Sequence, residues 1–337
     1  MTLGTISPLF LLFFTEQKCF CIIFALNYSH RQQMADFDIN ILGCGSALPT
    51  TRHLATSQIV DLRDKLYMID CGEGTQVQMR RMRVRFGRLA HIFISHLHGD
   101  HCFGLPGLIS TLGMLGRTGE LVVHGPKEVE TYLRPVMDLF CRGMEFEVRF
   151  NPVDTRSHSL VMEDRSLSVY SIPLKHRIPT CGYLFAEKPK EAHIIREMTD
   201  FYQVPVRCMK DIKQGQDYVT PEGEVVPNSR LTRPAAPPKR YAFCSDTAYN
   251  RSIIPIIEGA DLLYHEATFA ECDLARAKET FHSTARQAAE IARDAHVKRL
   301  VIGHYSARYE DLSELHREAE AVFPGTILGN EGTVIPV

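Results

Sequence analysis

An α/β layered domain is the fold this sequence predicts, and three observations carry that reading. Short apolar runs alternate with stretches of helical character from Ile39 to the C-terminus. Gly-rich turns follow several of those runs. Five runs end in histidine or a carboxylate, a placement that lets a rigid sheet converge ionisable side chains on one volume.

The 337 residues suffice for one large core or two modest ones. The formal net charge of −2 excludes coating nucleic acid by bulk charge and leaves only local patches for such contacts. Ten cysteines are scattered without paired spacing, and Cys44, Cys71 and Cys244 sit inside apolar runs. Reduced thiols and a cytoplasmic setting are therefore expected. Cys102 and Cys244 flank candidate metal residues but read as small buried hydrophobes.

Residues 1–33 do not share the pattern. Their apolar runs, 8–14 and 19–26, fall far short of the roughly twenty residues a membrane span requires, and no positive charge precedes the first. No membrane association is expected. Met34-Ala35-Asp36 opens the enzyme-like stretch, so Met34 is the expected start and 1–33 a non-native or disordered extension. A targeting peptide of unusual form is the rival reading.

Residues 39–46 read as a strand entering a glycine turn, 57–61 as a second strand, and 67–71 as a third that ends in a polar, Gly-rich loop. A helix over 75–86 follows, carrying Arg80, Arg81, Arg83 and Arg85, with Arg88 after it. It is either a solvated face or a basic surface that steers a polyanion. Residues 89–95 form a buried strand. Gly104-Leu105-Pro106-Gly107-Leu108 leads into a helix ending near Leu115-Gly116, 121–125 is another strand, and 127–139 is an amphipathic helix begun after Pro126.

Strands over 146–150 and 166–173 come next, the second delivering Lys175-His176-Arg177. Residues 187–240 break the rhythm. Charged and mixed at first, then Pro- and Ala-rich over 227–238, they read as an arm inserted into a domain spanning 34–337. Three further strands end in Asp246, in His265-Glu266 and in His304. Between the last two, His282-Ser283-Thr284 opens a helix over 283–295 with Ser283 or Thr284 as its cap.

The densest chemistry lies in Ser95-His96-Leu97-His98-Gly99-Asp100-His101. Such groups are costly to bury unpaired. On a straight strand His96, His98 and Asp100 share one face and His101 takes the other; a turn at Gly99 gathers all four. Imidazoles and carboxylates in this proportion suit zinc or a similar transition metal. His176, Asp246, Glu266 and His304, each at another strand end, point to one shared metal site.

From Phe37 to the C-terminus the chain resembles the metallo-β-lactamase superfamily and, within it, short-form ribonuclease Z, the tRNA 3′-processing endonuclease. The HxHxDH cluster marks the superfamily alone. The narrower likeness rests on Asp70-Cys71-Gly72-Glu73-Gly74-Thr75-Gln76, on Gly104-Leu105-Pro106-Gly107-Leu108 with Leu115-Gly116-Arg117, on His265-Glu266-Ala267-Thr268, on His282-Ser283-Thr284 and on Gly303-His304-Tyr305-Ser306-Ala307-Arg308-Tyr309. The resemblance implies an αββα sandwich of two mixed β-sheets flanked by helices, and a metal-dependent endoribonuclease. Its substrate would be precursor tRNA, cut on the 3′ side of the discriminator nucleotide to leave a 3′-OH ready for CCA addition. A homodimer with two Zn2+ per subunit is implied, and no other protein partner.

The same resemblance assigns His96, His98 and His176 to one metal and Asp100, His101 and His304 to the other, with Asp246 bridging. It implies a hydroxide activated by the two metals and oriented by Asp100, and a departing 3′ oxygen protonated by His282 with Glu266 behind it. Arg308 is either a phosphate clamp or an exposed salt bridge. The alternative is another hydrolase on this scaffold, a phosphodiesterase or sulfatase acting on small esters. The arm departs from the family pattern. Val204-Pro205-Val206-Arg207-Cys208-Met209-Lys210 stands where a Gly-Pro-rich tip is usual, and residues 187–213 hold six Lys or Arg against five Asp or Glu.

Overall fold

The computed structural model describes residues 36–337, so the expectations for 1–33 lie outside the described residues. The strands in chain order are β1 (Phe37–Gly43), β2 (Ser57–Leu62), β3 (Lys65–Cys71), β4 (Leu89–Phe93), β5 (Leu121–Gly125), β6 (Val148–Pro152), β7 (Leu160–Glu163), β8 (Leu167–Pro173) and β9 (Cys181–Glu187). Four two-residue strands follow, β10 (His193–Ile194), β11 (Tyr218–Val219), β12 (Val225–Val226) and β13 (Thr232–Arg233). The chain then gives β14 (Arg240–Cys244), β15 (Leu262–Glu266), β16 (Leu300–Gly303), β17 (Ile327–Leu328) and β18 (Val334–Pro336).

Two seven-stranded mixed sheets result, ordered β18-β1-β2-β3-β4-β5-β6 and β17-β16-β15-β14-β9-β8-β7. Alternation along each strand decides which layer a side chain enters. Tyr67 and Ile69 of β3 join the core between the sheets, whereas Leu66, Met68 and Cys71 join the core beneath the helices 105–114 and 128–140. Phe93 and Phe185 meet edge to face at 5.3 Å across the sandwich. The outer face of the second sheet is covered by the helix Ala285–Asp294, whose Ala285, Ala288, Ala289 and Ala292 permit a close approach. Helices therefore flank both sheets, as the family resemblance implied.

Strand direction positions the site. β3 to β6 run parallel, and so do β14 to β17. β9 is antiparallel to both β8 and β14, so β8 points the same way as β14. The carboxyl ends of these strands form one rim, where α/β sheets present their ligand-binding groups.

Some expectations needed correction. The helix expected over 75–86 spans only Thr75–Arg81. Arg83 takes a left-handed φ of 57°, Arg83 N–H bonds Arg80 O, and Val84 N–H bonds Met79 O, the pattern of a Schellman stop made without glycine. Arg85 and Arg88 pair with Asp64, the residue before β3, at roughly 23 Å of strand from its carboxyl end. These two arginines do not flank the metal cluster. The strand expected over 146–150 lies at Val148–Pro152, and β7, β9, β17 and β18 were not anticipated.

The chain between β9 and β14 builds a small core of its own from Val204, Ile212, Tyr218, Val226 and Leu231. Its Pro-rich part is not wholly extended, since Asn228–Leu231 makes a helical turn before β13. Among the described residues no helix is long and apolar enough to cross a membrane.

The start of the helix 285–294 is fixed by a capping box. Thr284 Oγ1 accepts from Gln287 N, and the Gln287 side chain accepts from Thr284 N. Thr284→Ala is expected to lower stability by about 1 kcal/mol. Urea unfolding checks it, as a fall in midpoint without a change in slope.

Candidate metal centre

Asp70 anchors the loop that follows β4. It closes β3 with a left-handed φ of 54° and is fully buried. Its Oδ1 accepts from Ser95 N at 2.7 Å, and its Oδ2 accepts from Ser95 Oγ at 2.9 Å and from His101 Nδ1 at 2.7 Å. Residues 99–102 then turn helically, which gathers His96, His98, Asp100 and His101 instead of splitting them between two faces. Gly72 and Gly104 allow the neighbouring loops to touch: a Cβ on Gly104 would fall 2.1 Å from Gly72 O.

Two donor sets meet at Asp246. In the first, His96 Nε2 lies 3.0 Å from His98 Nδ1, and His176 Nε2 lies 3.3 Å from the same His98 nitrogen. Asp246 Oδ2 is 3.6 Å from His96 Nε2 and 3.7 Å from His176 Nε2. In the second, Asp246 Oδ1 is 3.1 Å from both His101 Nε2 and His304 Nε2, and Asp100 Oδ2 is 3.3 and 3.5 Å from those nitrogens. Each set therefore packs four potential ligand atoms around one point.

The far side of each ring decides what the near side offers. His101 Nδ1 donates to Asp70, His304 Nδ1 donates to Thr268 Oγ1 at 2.9 Å, and His176 Nδ1 donates to Phe281 O at 3.0 Å. His96 Nδ1 is held by Ser95 Oγ at 2.9 Å. Each bond leaves an Nε2 lone pair facing inward, as a metal ligand requires. The Nε2 atoms of His101 and His304 are buried with no hydrogen bond at all. An orphaned buried nitrogen is expensive, and a divalent cation among these carboxylates satisfies both at once. The residues fit a metal.

Electrostatics distinguishes the two sets. Burial pushes His96, His98 and His176 below the ordinary histidine pKa, so they are neutral and ready to ligate. Burial acts the same way on His101, but the Asp246, Asp100 and Asp70 carboxylates outweigh it and raise its pKa. Asp246 is held low against its burial by His304, His101 and His96. A cation entering the second set must displace a proton.

Beside these sets stands a dyad. His282 Nδ1 is 2.8 Å from Glu266 Oε1, and burial of the ring is outweighed by that carboxylate, which raises His282 to about 9. Glu266 is wholly buried. Its Oε1 also accepts from Thr247 N, while Oε2 accepts from Thr268 N and Thr268 Oγ1. His282 lines a cleft of about 320 Å³ together with His98, Asp100, His176, Asp246 and His304. Arg308 reaches the same cleft, its guanidinium 5.0 Å above the Phe269 ring and 2.8 Å from Asp273. A larger cleft at the base of the arm, between residues 189–192 and 235–238, holds no histidine or cysteine.

A family model described as anti-Pycsar protein Apyc1 matches residues 37–127. Among curated relatives, ribonuclease Z of Parabacteroides distasonis is 82% identical over 304 residues, covering 90% of this chain and 100% of that protein. Ribonuclease Z of Bacteroides fragilis is 63% identical over 302 residues, covering 90% and 99%. This chain belongs to the ribonuclease Z family. Its fold agrees with that of the short form of human tRNase Z, at a TM-score of 0.64 and 25% identity over 89% of this chain and all of that one. The metallo-β-lactamase fold protein YhfI of Bacillus subtilis shares the fold at a TM-score of 0.62 and 17% identity, over 88% and 98%. As a ribonuclease Z, the chain is a metal-dependent endoribonuclease, and its His/Asp sets are the groups suited to hold the divalent metal.

All ten side chains singled out from the sequence line or adjoin this one cleft of the ribonuclease Z fold. Asp70, Ser95 and Thr268 were overlooked as supports. Asp70 satisfies the criterion that picked out Asp246, a carboxylate closing a buried apolar strand, so a signal existed. If Asp246 serves both sets, Asp246→Ala should lose the metal of both sets, while His304→Ala should lose metal from one set only. Elemental analysis of the purified variants distinguishes these results, and full metal retention in Asp246→Ala would contradict the shared role.

Proposed function

We propose that this chain cleaves precursor tRNA on the 3′ side of the discriminator nucleotide, leaving a 3′-OH ready for CCA addition. The observation that carries the reading is the His282–Glu266 dyad standing over the two donor sets in one cleft. A site that only bound metal would have no use for a proton donor.

Two zinc ions would be held by these donor sets, one by His96, His98 and His176 and one by Asp100, His101 and His304, with Asp246 available to both. Such ions supply an acidified water and counter-charge for the phosphoryl oxygens. Asp100, held in its charged form by His101 and His304 against the effect of burial, takes the proton of the attacking water. His282 gives its Nε2 proton to the departing 3′ oxygen, while Glu266 on Nδ1 fixes the ring and supports its positive charge. Arg308 binds a phosphate by exchanging its Asp273 partner.

The arm 187–240 grips the tRNA body, and the subunits pair as a homodimer. Phe103, Met114 and Leu115 are among the exposed apolar side chains that such pairing would cover. A cytoplasmic location is consistent with the eight described cysteines all being free.

His282→Ala is expected to slow cleavage of precursor tRNA by about 10²–10⁴-fold, with metal content unchanged. On a nitrophenyl phosphodiester, whose leaving group departs without an acid, the variant should approach the parent rate. Equal losses on both substrates would assign His282 to positioning instead. Glu266→Gln removes the charge that raises His282, so the alkaline limb of kcat should move to lower pH. That variant also costs stability, because whichever way the amide is turned it faces a backbone N–H, from Thr247 or from Thr268. Deleting 190–235 behind a short Gly/Ser linker should spare nitrophenyl cleavage and impair tRNA cleavage. Loss of neither would contradict the gripping role.

A further inference from the structure

Away from the cleft, Cys44, His53 and Glu331 bring three ligand atoms of different chemistry together. Cys44 Sγ is 3.4 Å from His53 Nδ1, and His53 Nδ1 is 2.9 Å from Glu331 Oε2. We propose that these three side chains form a separate binding site for a thiophilic divalent cation such as zinc, one per chain, that pins the loop 44–55.

The donor set is the first support. Sulfur, imidazole nitrogen and carboxylate oxygen are the three protein ligands zinc accepts, with Zn–S about 2.3 Å and the others about 2.0–2.2 Å. Tetrahedral geometry then places ligand atoms roughly 3.3–3.6 Å apart. The observed separations need to open by only a few tenths of an ångström. The second support is that Glu331 is already held in place without using the oxygen in question. Its Oε1 accepts from Cys44 N at 3.2 Å and Leu54 N at 2.7 Å, which leaves Oε2 for the cation.

Access also agrees. Cys44 is fully buried, but His53 and Glu331 side chains remain 17% and 14% exposed, so one side is open to water for delivery and for a fourth ligand. Burial and the Glu331 charge keep Cys44 a neutral thiol, so an arriving cation must displace its proton. Binding releases one proton per cation: the thiol loses its proton to solvent, and the His53 proton moves from Nδ1 to the outward Nε2. The cation, the thiolate and the Glu331 carboxylate then sum to zero charge.

The loop being pinned is the one that borders the catalytic cleft. Ser46, Ala47 and Leu48 line it. Cys44 O accepts from Tyr305 N, and Ser46 N donates to Tyr305 O, one residue beyond His304. A cation at Cys44 thus braces the cleft wall and the strand end carrying His304 from behind.

Cadmium tests this on the full chain, because its thiolate charge-transfer band in the near ultraviolet can arise only from sulfur, and the His/Asp sets contain none. Stripped protein is reconstituted with Cd2+ and dialysed, and the bound equivalents and the band are compared with those of Cys44→Ala and His53→Ala. Cys19 and Cys21 lie outside the described residues, so the difference between parent and variant is the readout. The proposal expects one equivalent fewer and loss of that part of the band in both variants. His53→Ala leaves the Glu331 bonds to Cys44 N and Leu54 N in place, so it should retain the parent circular dichroism. Equal cadmium content and an equal band in parent and His53→Ala would overturn the site.

Discussion

The structure depends on turning the nitrogens of five imidazoles inward upon one volume inside a protein. Five histidines and two carboxylates crowd one volume, and His96, His101, His304 and Asp246 among them are buried while His98, His176 and Asp100 are partly so. Four of the five rings are set by their opposite nitrogen, which is committed to Asp70, Thr268, Phe281 O or Ser95. An unsatisfied buried polar atom costs on the order of 1–3 kcal/mol, so the cluster is tolerable only on a scaffold that cannot relax away from it. Strain points the same way. Asp70, Asp246, His304 and Phe281 all have φ between 54° and 60°, a conformation that costs roughly 1–2 kcal/mol for a non-glycine residue. In three of these the chain leaves a rigid strand and turns sharply, which aims the side chain across the rim instead of along the sheet.

Glu266 binds the proton donor to the metal-facing side. Its Oε1 takes His282, and its Oε2 takes the Thr268 hydroxyl, whose oxygen in turn receives the proton of His304 Nδ1. One carboxylate therefore sets the charge of the acid and, through a single hydroxyl, the tautomer of a metal-facing histidine. Its own charge is paid for by four hydrogen bonds, two of them from backbone N–H groups that fix the loops after β14 and β15. Proton donation and metal coordination thus share one buried network, and a substitution at Glu266 or Thr268, which join the two, is expected to affect both.

What the sequence made legible follows from how much chemistry a residue carries alone. His96, His98, His176, Asp246 and His304 announce themselves because ionisable groups at the ends of apolar runs have few bland explanations, and strand direction then brings them to one rim. Asp70 and Thr268 act only through the residues they hold, and a lone Asp or Thr at a strand end has many ordinary uses. β9 escaped notice because its run, Cys181-Gly182-Tyr183-Leu184-Phe185-Ala186-Glu187, carries a glycine; a Cβ on Gly182 would fall 2.2 Å from Phe243 O, so the gap in side chains is a requirement of close strand packing. The helix after β3 was read too long because Arg83, not glycine, adopts the left-handed stop. Its arginines were open to two readings, a solvated face or a steering surface, and the fold places Arg85 and Arg88 beside Asp64, at the other end of β3.

The central claim is that hydrogen bonds behind the rings dictate which nitrogen His96, His101, His176 and His304 offer. Crystals of the zinc-loaded protein, with the ions located by anomalous scattering, test it directly. The account requires His96, His101, His176 and His304 to coordinate through Nε2, His98 alone through Nδ1, and Asp246 to reach both ions with its two oxygens. An ion bound through Nδ1 of His101 or His304, with the bond to Asp70 or Thr268 broken, would contradict it.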